Sequence, residues 1–325
     1  MSTLNVSNLA GPSSTGTAAI LASVNGGSIA GSRNRIINGD MDTDQRNAGA
    51  AQTFTAAAAL AYSVDRWYGY CTGANVTGQQ VAGATAGQFR YRFTGAASVT
   101  AIGFGQRIEQ LNSADLASST ATLSVDLANS LLTTVTWTAY YATTADTFGT
   151  LASPTRTQIA TGTFTVTSTV TRYNTNISVP AAATTGIEIV FTVGAQTSGT
   201  WTIGNVQLEP GTVATPFERR SYGAELALCQ RYYQVFTSFN IEGYANAATT
   251  RAVTIPLPFL VQMRATPTRG VITAGTFTNI RGSSTTYAGL GLNGLTSTFA
   301  SASIESAAAG LCQYLNATES MSAEL

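Results

Sequence analysis

The sequence predicts an all-β protein: an antiparallel β-sandwich of the jelly-roll kind, preceded by an extended arm and followed by a short helix and a small C-terminal β domain. Three observations lead there. Residues 36 to about 210 break into about ten short segments dense in β-branched and aromatic residues, each bounded by Gly, Ser, Asn or Pro. Several alternate cleanly, Phe89, Tyr91 and Phe93 against Gln88, Arg90 and Arg92, and Val135, Trp137, Ala139 and Tyr141 against threonines and Tyr140. Alternation places one face in a core and the other in water. No fixed repeat period runs through the chain, which argues against a solenoid.

In chain order, residues 1–35 are rich in Ser, Gly, Ala, Thr and Asn and hold too little apolar surface to fold alone. Fully extended, such an arm spans on the order of 100 Å at ~3.3 Å per residue. The sandwich, 36–220, has strands expected at 62–70, 88–93, 101–109, 120–127, 134–142, 155–166, 172–179, 187–193 and 200–208. Trp67, Trp137 and Trp201 fall in these strands and are assigned to the core. Near residue 210 the strand ending in Val206 and Leu208 meets the Glu209-Pro210-Gly211 turn, and the chain passes through Arg219-Arg220 into a short helix. Tyr222, Leu226 and Tyr233 are available as its apolar face. The C-terminal unit, 221–325, then alternates Val253, Ile255 and Leu257 with Pro256 and Pro258 interposed, a pattern suited to an edge strand. Further strand-like pieces follow at 270–273, 277–280, 297–304 and 311–316.

Composition removes several functions. Charged residues make up 10% of the 325 residues, the net charge is zero, and there is no His; all 16 basic residues are Arg. Without His or Lys there is no His general base, no Ser-His-Asp or Cys-His pair, no His-bearing zinc site, no Schiff-base lysine and no Walker lysine. A near-neutral surface lacks the footprint of a nucleic-acid binder. Cys71, Cys229 and Cys312 form neither a disulfide framework nor a metal pattern. No apolar run approaches the ~18 residues of a spanning helix. The start lacks a secretory signal, so synthesis in a cytoplasm and release by another route, such as lysis, is expected.

The opening STLNVSNL, the pieces NRIINGDM and DQR at 34–46, VDRWY at 64–68, RIEQ with Asn112, TLSVDL at 122–127, and the junction VQLEPGTVATPFERR leading into GAELALCQRYY together resemble phage tail-fibre (receptor-binding) proteins. MRATPT at 263–268 resembles the C-terminal domain of the same family. The jelly roll of that family is itself similar to bacterial carbohydrate-binding modules. The resemblance implies a non-enzymatic virion protein and a homotrimer. Its N-terminal arm, 1–35, would dock on tail or baseplate proteins, and the chain would recognise host-surface polysaccharide without nucleic-acid binding or membrane insertion. A capsid decoration protein without receptor binding is the alternative, and a polysaccharide hydrolase the third possibility.

Candidate site residues follow from this frame. Asp40, Asp42 and Asp44 in extended chain would share one face, where a calcium ion would relieve their repulsion. Related modules carry a structural calcium near an NGDF-type opening but draw a further acid from the last strand, where this chain has Gly204-Asn205. Without a metal, Asp40 and Asp44 would make turn hydrogen bonds or pair with Arg46, and Asp65 would pair with Arg66. No cofactor beyond that possible calcium is expected, and no catalytic carboxylate pair is recognisable. For stacking on a pyranose, Tyr140 lies on the polar face of its strand, and Tyr244 and Tyr287 sit in turn-rich stretches. Arg107 and Glu109, on one strand face, are expected to form an ion pair.

Overall fold

The computed structural model describes residues 33–245, 251–273, 276–279, 289–293, 296–305 and 310–325, with a two-stranded hairpin, β1 (Ser23–Val24) and β2 (Gly27–Ser28), in the arm. Side chains are described for 33–237, 240, 242–244, 258–270, 296–298 and 318–325.

The sandwich strands are β3 (Gln52–Phe54), β4 (Ala61–Tyr62), β5 (Tyr68–Thr72), β6 (Val76–Ala82), β7 (Phe89–Thr94), β8 (Ala101–Ile108), β9 (Thr120–Asn129), β10 (Thr134–Ala142), β11 (Arg156–Thr165), β12 (Thr171–Ser178), β13 (Ile187–Val193) and β14 (Thr200–Pro210). They form two six-stranded antiparallel sheets, ordered β11-β10-β13-β8-β5-β4 and β12-β9-β14-β7-β6-β3. The alternating residues meet between the sheets. Trp67, Trp137 and Trp201 all lie in this core. Trp67 stacks on Phe104 at 5.0 Å, Phe104 on Tyr91 at 4.9 Å, and Phe93 on Trp201 at 5.3 Å. Each such ring contributes roughly 1.5–3 kcal/mol by leaving water.

Several expectations change. The single strand expected at 62–70 is two, because the chain turns between them with Arg66 at φ 72. Arg90, expected on the wet face, is buried against Asp126 at 2.9 Å. The outer faces of β9 and β14 are also covered, since Thr122 Oγ1 donates to the Gly211 carbonyl (2.8 Å) and Thr215 caps Glu209. The linker after β14 is therefore a lid on the sheet.

Helix α1 (Gln110–Ser113) follows β8, and α2 (Tyr222–Gln230) follows the linker. The apolar face expected of α2 is not the buried one. Tyr222 is 58% exposed, Tyr233 belongs to β15 (Tyr233–Ala245), and the helix buries Glu225 and Cys229 instead. The C-terminal unit continues with β16 (Arg251–Pro258), β17 (Thr268–Thr273), β18 (Thr276–Asn279), β19 (Gly289–Asn293), β20 (Phe299–Glu305) and β21 (Gly310–Ser322). β21 pairs with β15, β17 and β18, while β16-β20-β19 form a separate sheet with the proline-bearing β16 at its edge. Cys71 and Cys229 are free and buried. Among the described residues no helix is long and apolar enough to cross a membrane.

Candidate functional site

Two constellations stand out: a buried polar clasp at one end of the sandwich, and an open groove on the outer face of the β11–β4 sheet.

The clasp is built by the motif residues. Asn38, fully buried, donates from Nδ2 to the carbonyls of Thr43 (2.8 Å) and Asp65 (2.9 Å) and accepts from the Thr43 amide (3.0 Å). Its own carbonyl takes the Trp67 indole N–H at 2.9 Å. Gln106 clasps Ile37 from both sides, accepting its amide at 2.9 Å and donating to its carbonyl at 2.7 Å. Gly39 sits against the bulge of β14 at Asn205, and a Cβ there would lie 2.2 Å from the Val206 oxygen, so only glycine fits. Arg220 reaches the Ile36 carbonyl and Glu225, both at 3.1 Å, and Glu225 also accepts the Asn38 amide. Glu324 is bound by Arg46 at 2.9 Å and by Arg66, and the Ala323 amide donates to Tyr232 at 2.8 Å. These bonds join residues 33–46, 63–67, 106–109, the linker, α2 and the C-terminal unit.

The ion pairs differ from those expected within short sequence windows. Arg107 pairs with Glu188, and Glu109 with Arg231 (3.1 Å) and Arg264 (3.7 Å). Asp65 and Arg66 do not bond each other; Asp65 accepts from Gln45 at 2.5 Å and Arg66 goes to Glu324.

The calcium candidates do not line one extended face, because Asn38 and Met41 take left-handed φ of 54 and 62 and fold the segment into a turn. Asp40 lies 3.5 Å from Arg219, Asp42 accepts from the Thr43 hydroxyl (2.9 Å), and Asp44 accepts the amides of Asn47 (3.0 Å) and Gly49 (2.9 Å). Asp42 and Asp44 share a small cleft with Gln80 and Tyr222. No cluster of three or more His, Cys, Asp or Glu able to hold a metal occurs among the described residues. Each of the three carboxylates thus faces a protein partner of its own.

Burial raises the Asp40 carboxyl to about 6, with the nearby charges of Asp42 and Glu225 adding to the effect. Asp65 rises further, from 3.8 to about 7, mainly through burial. The folded state thus keeps a proton on Asp65 that the unfolded chain loses near its ordinary value, so stability falls as pH rises through that window and levels off above it. Thermal melts of the wild type should decline from about pH 4 to pH 7, and Asp65→Asn should flatten much of that slope. An unchanged slope in the variant would contradict this assignment.

The groove lies across β5, between the turn at 57–59 and the loop at 150–152, with a volume of about 540 Å³. Tyr70, Thr72, Leu151 and Arg156 are among its lining residues. Tyr68 and Tyr70 project from β5 over glycines of β8. A Cβ at Gly103 would fall 2.1 Å from Tyr70 Cζ, so the missing side chain lets the ring lie across the sheet. Gly103→Ala should displace the Tyr70 ring and alter the groove; a crystal structure of the variant with Tyr70 unmoved would refute that dependence.

Behind the groove sits Glu188, fully buried. Its Oε1 accepts from Tyr68 Oη (2.6 Å) and Arg107 Nε (2.8 Å), and its Oε2 from Arg156 Nη1. Arg156 also lies 4.1 Å over the Tyr140 ring. So Tyr140 is half-buried beneath a guanidinium rather than an open platform. Tyr244 is 60% exposed in β15, far along the chain from this sheet, and Tyr287 lies outside the described residues. Tyr70 and Arg156, not singled out by sequence, are the residues that share a groove. The signal that could have found Tyr70 is the glycine opposite it on β8.

No family model and no curated protein matches the chain. Solved structures do. One described as a family 4 carbohydrate-binding module is 18% identical, covering 53% of this chain and 97% of that one at a TM-score of 0.34. The family 61 module TmCBM61, solved with β-1,4-galactotriose, is 13% identical over 55% of this chain and 99% of its own, with a TM-score of 0.35. The enzymatically active domain of tailspike protein 4 from bacteriophage CBA120 is 17% identical over 55% of this chain and 21% of its own, at 0.33. These values describe a likeness of fold over part of the chain.

Proposed function

We propose that this chain is a non-enzymatic adhesion protein of a bacteriophage virion, a tail fibre that recognises glycan on the host surface. Glycan recognition rests on one observation, the groove that sets the Tyr70 ring beside Arg156. A flat ring for a pyranose face and a fixed donor for its oxygens are the two things a sugar site needs. Glycoside hydrolysis needs two carboxylates flanking the bond. The described lining of this groove includes none, which supports binding without cleavage.

The fibre assignment rests on the resemblance carried by 34–46, 64–68, 107–112 and 206–220. Those residues are also the ones that build the clasp, so they serve a joint between sandwich and C-terminal unit. In this reading residues 1–35 attach to the virion, 36–220 form the body, and 221–325 the distal tip, where Tyr244 offers a second exposed ring. A homotrimer would present three weak sites at once, and avidity would supply the attachment strength.

The test is binding of the labelled full chain to a panel of bacterial strains, before and after stripping surface polysaccharide, with reducing ends measured in parallel. Saturable binding lost on stripping, without release of reducing ends, is expected. Release of reducing ends would make the protein a hydrolase, and binding to no strain would favour virion scaffolding.

A further inference from the structure

We infer that the groove takes an anionic glycan, a sugar bearing a ring carboxylate, with the carboxylate on Arg156 and a pyranose face over Tyr70. This rests on the glycan recognition proposed above and deepens it to a ligand class.

Arg156 is the charged residue in the described lining of the groove. Its role in holding Glu188 does not account for it. Glu188 already accepts from Arg107 Nε and Tyr68 Oη, so Arg156 is a second guanidinium on one carboxylate. Arg107 is held further by the Leu325 and Gly149 oxygens (2.7 and 3.0 Å), so Arg156 is the guanidinium of this cluster with donors to spare.

The carboxylates on neighbouring elements are engaged elsewhere. Asp146 accepts the Gln110 amide at 2.7 Å, Glu324 is bound by Arg46 and Arg66, and Asp65 accepts from Gln45. The remaining donors of Arg156 are also free. Nη1 is spent on Glu188, while Nε and Nη2 make no hydrogen bond among the described residues. Its side chain is 15% exposed, so the pinned group still meets solvent at the groove.

A guanidinium held from behind and stacked on Tyr140 is pre-organised, and charge-assisted bonds to a carboxylate are roughly twice as strong as those to a neutral hydroxyl. The alanines at 57–59 and Leu151 leave the rest of the lining apolar, which suits a sugar ring face.

The experiment is calorimetric titration of the full chain with fragments of galacturonan, glucuronan, alginate and hyaluronan. Each is paired with its own carboxyl-reduced form, and a sulfated neutral glycan forms a further arm. At least one acidic fragment should bind about tenfold or more tightly than its reduced form. Arg156→Gln should bring that ratio towards one, and Arg156→Lys should keep part of it; melting temperatures identify any variant that fails to fold.

Equal binding of acidic and reduced forms by the wild type would overturn the inference while leaving glycan recognition standing. So would a preference that survives Arg156→Gln, or one for sulfate over carboxylate. No binding to any fragment, acidic or neutral, would overturn both.

Discussion

Asn38→Ala is expected to destabilise the protein by about 3–5 kcal/mol, a large share of the roughly 5–15 kcal/mol that keeps a typical domain folded. Two costs combine. The substitution strands the carbonyl of Asp65 and the amide of Thr43, and leaves the Thr43 carbonyl with the Asp65 amide (3.1 Å) as its remaining donor. A buried polar group left unpaired costs about 1–3 kcal/mol, and the terms are not fully additive. The residue also holds φ 54, where asparagine is tolerated and alanine is strained by about 1–2 kcal/mol. Asn38→Gly separates the two, since it relieves the strain and not the bonds, and should recover roughly 1 kcal/mol relative to alanine. Denaturant midpoints at unchanged slope measure both variants. A loss below about 1 kcal/mol for the alanine variant would show that the clasp is not cooperative.

Glu188→Ala should cost a comparable amount, about 3–5 kcal/mol, by leaving Arg107 and Arg156 partly buried without their carboxylate. The loss should be larger than for Glu188→Gln, whose amide oxygen still accepts from Tyr68 or Arg107. It should also free Arg156 from its fixed position and so loosen the groove. Equal stability of the alanine variant and the wild type would mean that the ion cluster contributes no net stabilisation.

The sandwich is legible in the sequence where its strands alternate, from Phe89 onward through β14, because each strand has one face in the core. Val76–Ala82 is not, since its Gly-Gln-Gln centre carries no alternating apolar signal. The turn at Arg66 is hidden because Val64, Asp65, Arg66 and Trp67 are buried for different reasons, apolar and ionic. α2 is legible as a helix but not in orientation, because its contacts are a buried Glu225 held by Arg220 and a cysteine. Ion-pair partners are the least legible. Arg107 lies 81 residues from Glu188 and two from Glu109, and proximity along the chain points to the wrong acid. The groove has the same character. Alternation places Tyr70 on an outer face, but its meeting with Arg156 depends on β11 lying at the far edge of the same sheet and on the loop before it folding back.

Glycan recognition in the groove is tested most directly by comparing wild type with Tyr70→Ala in full-chain binding to a panel of surface polysaccharides. Melting temperatures serve as the fold control. Saturable binding by the wild type, weakened about tenfold or more when the ring is removed, is the predicted result. Undiminished binding by a folded Tyr70→Ala protein would contradict it, because recognition would then belong to another surface.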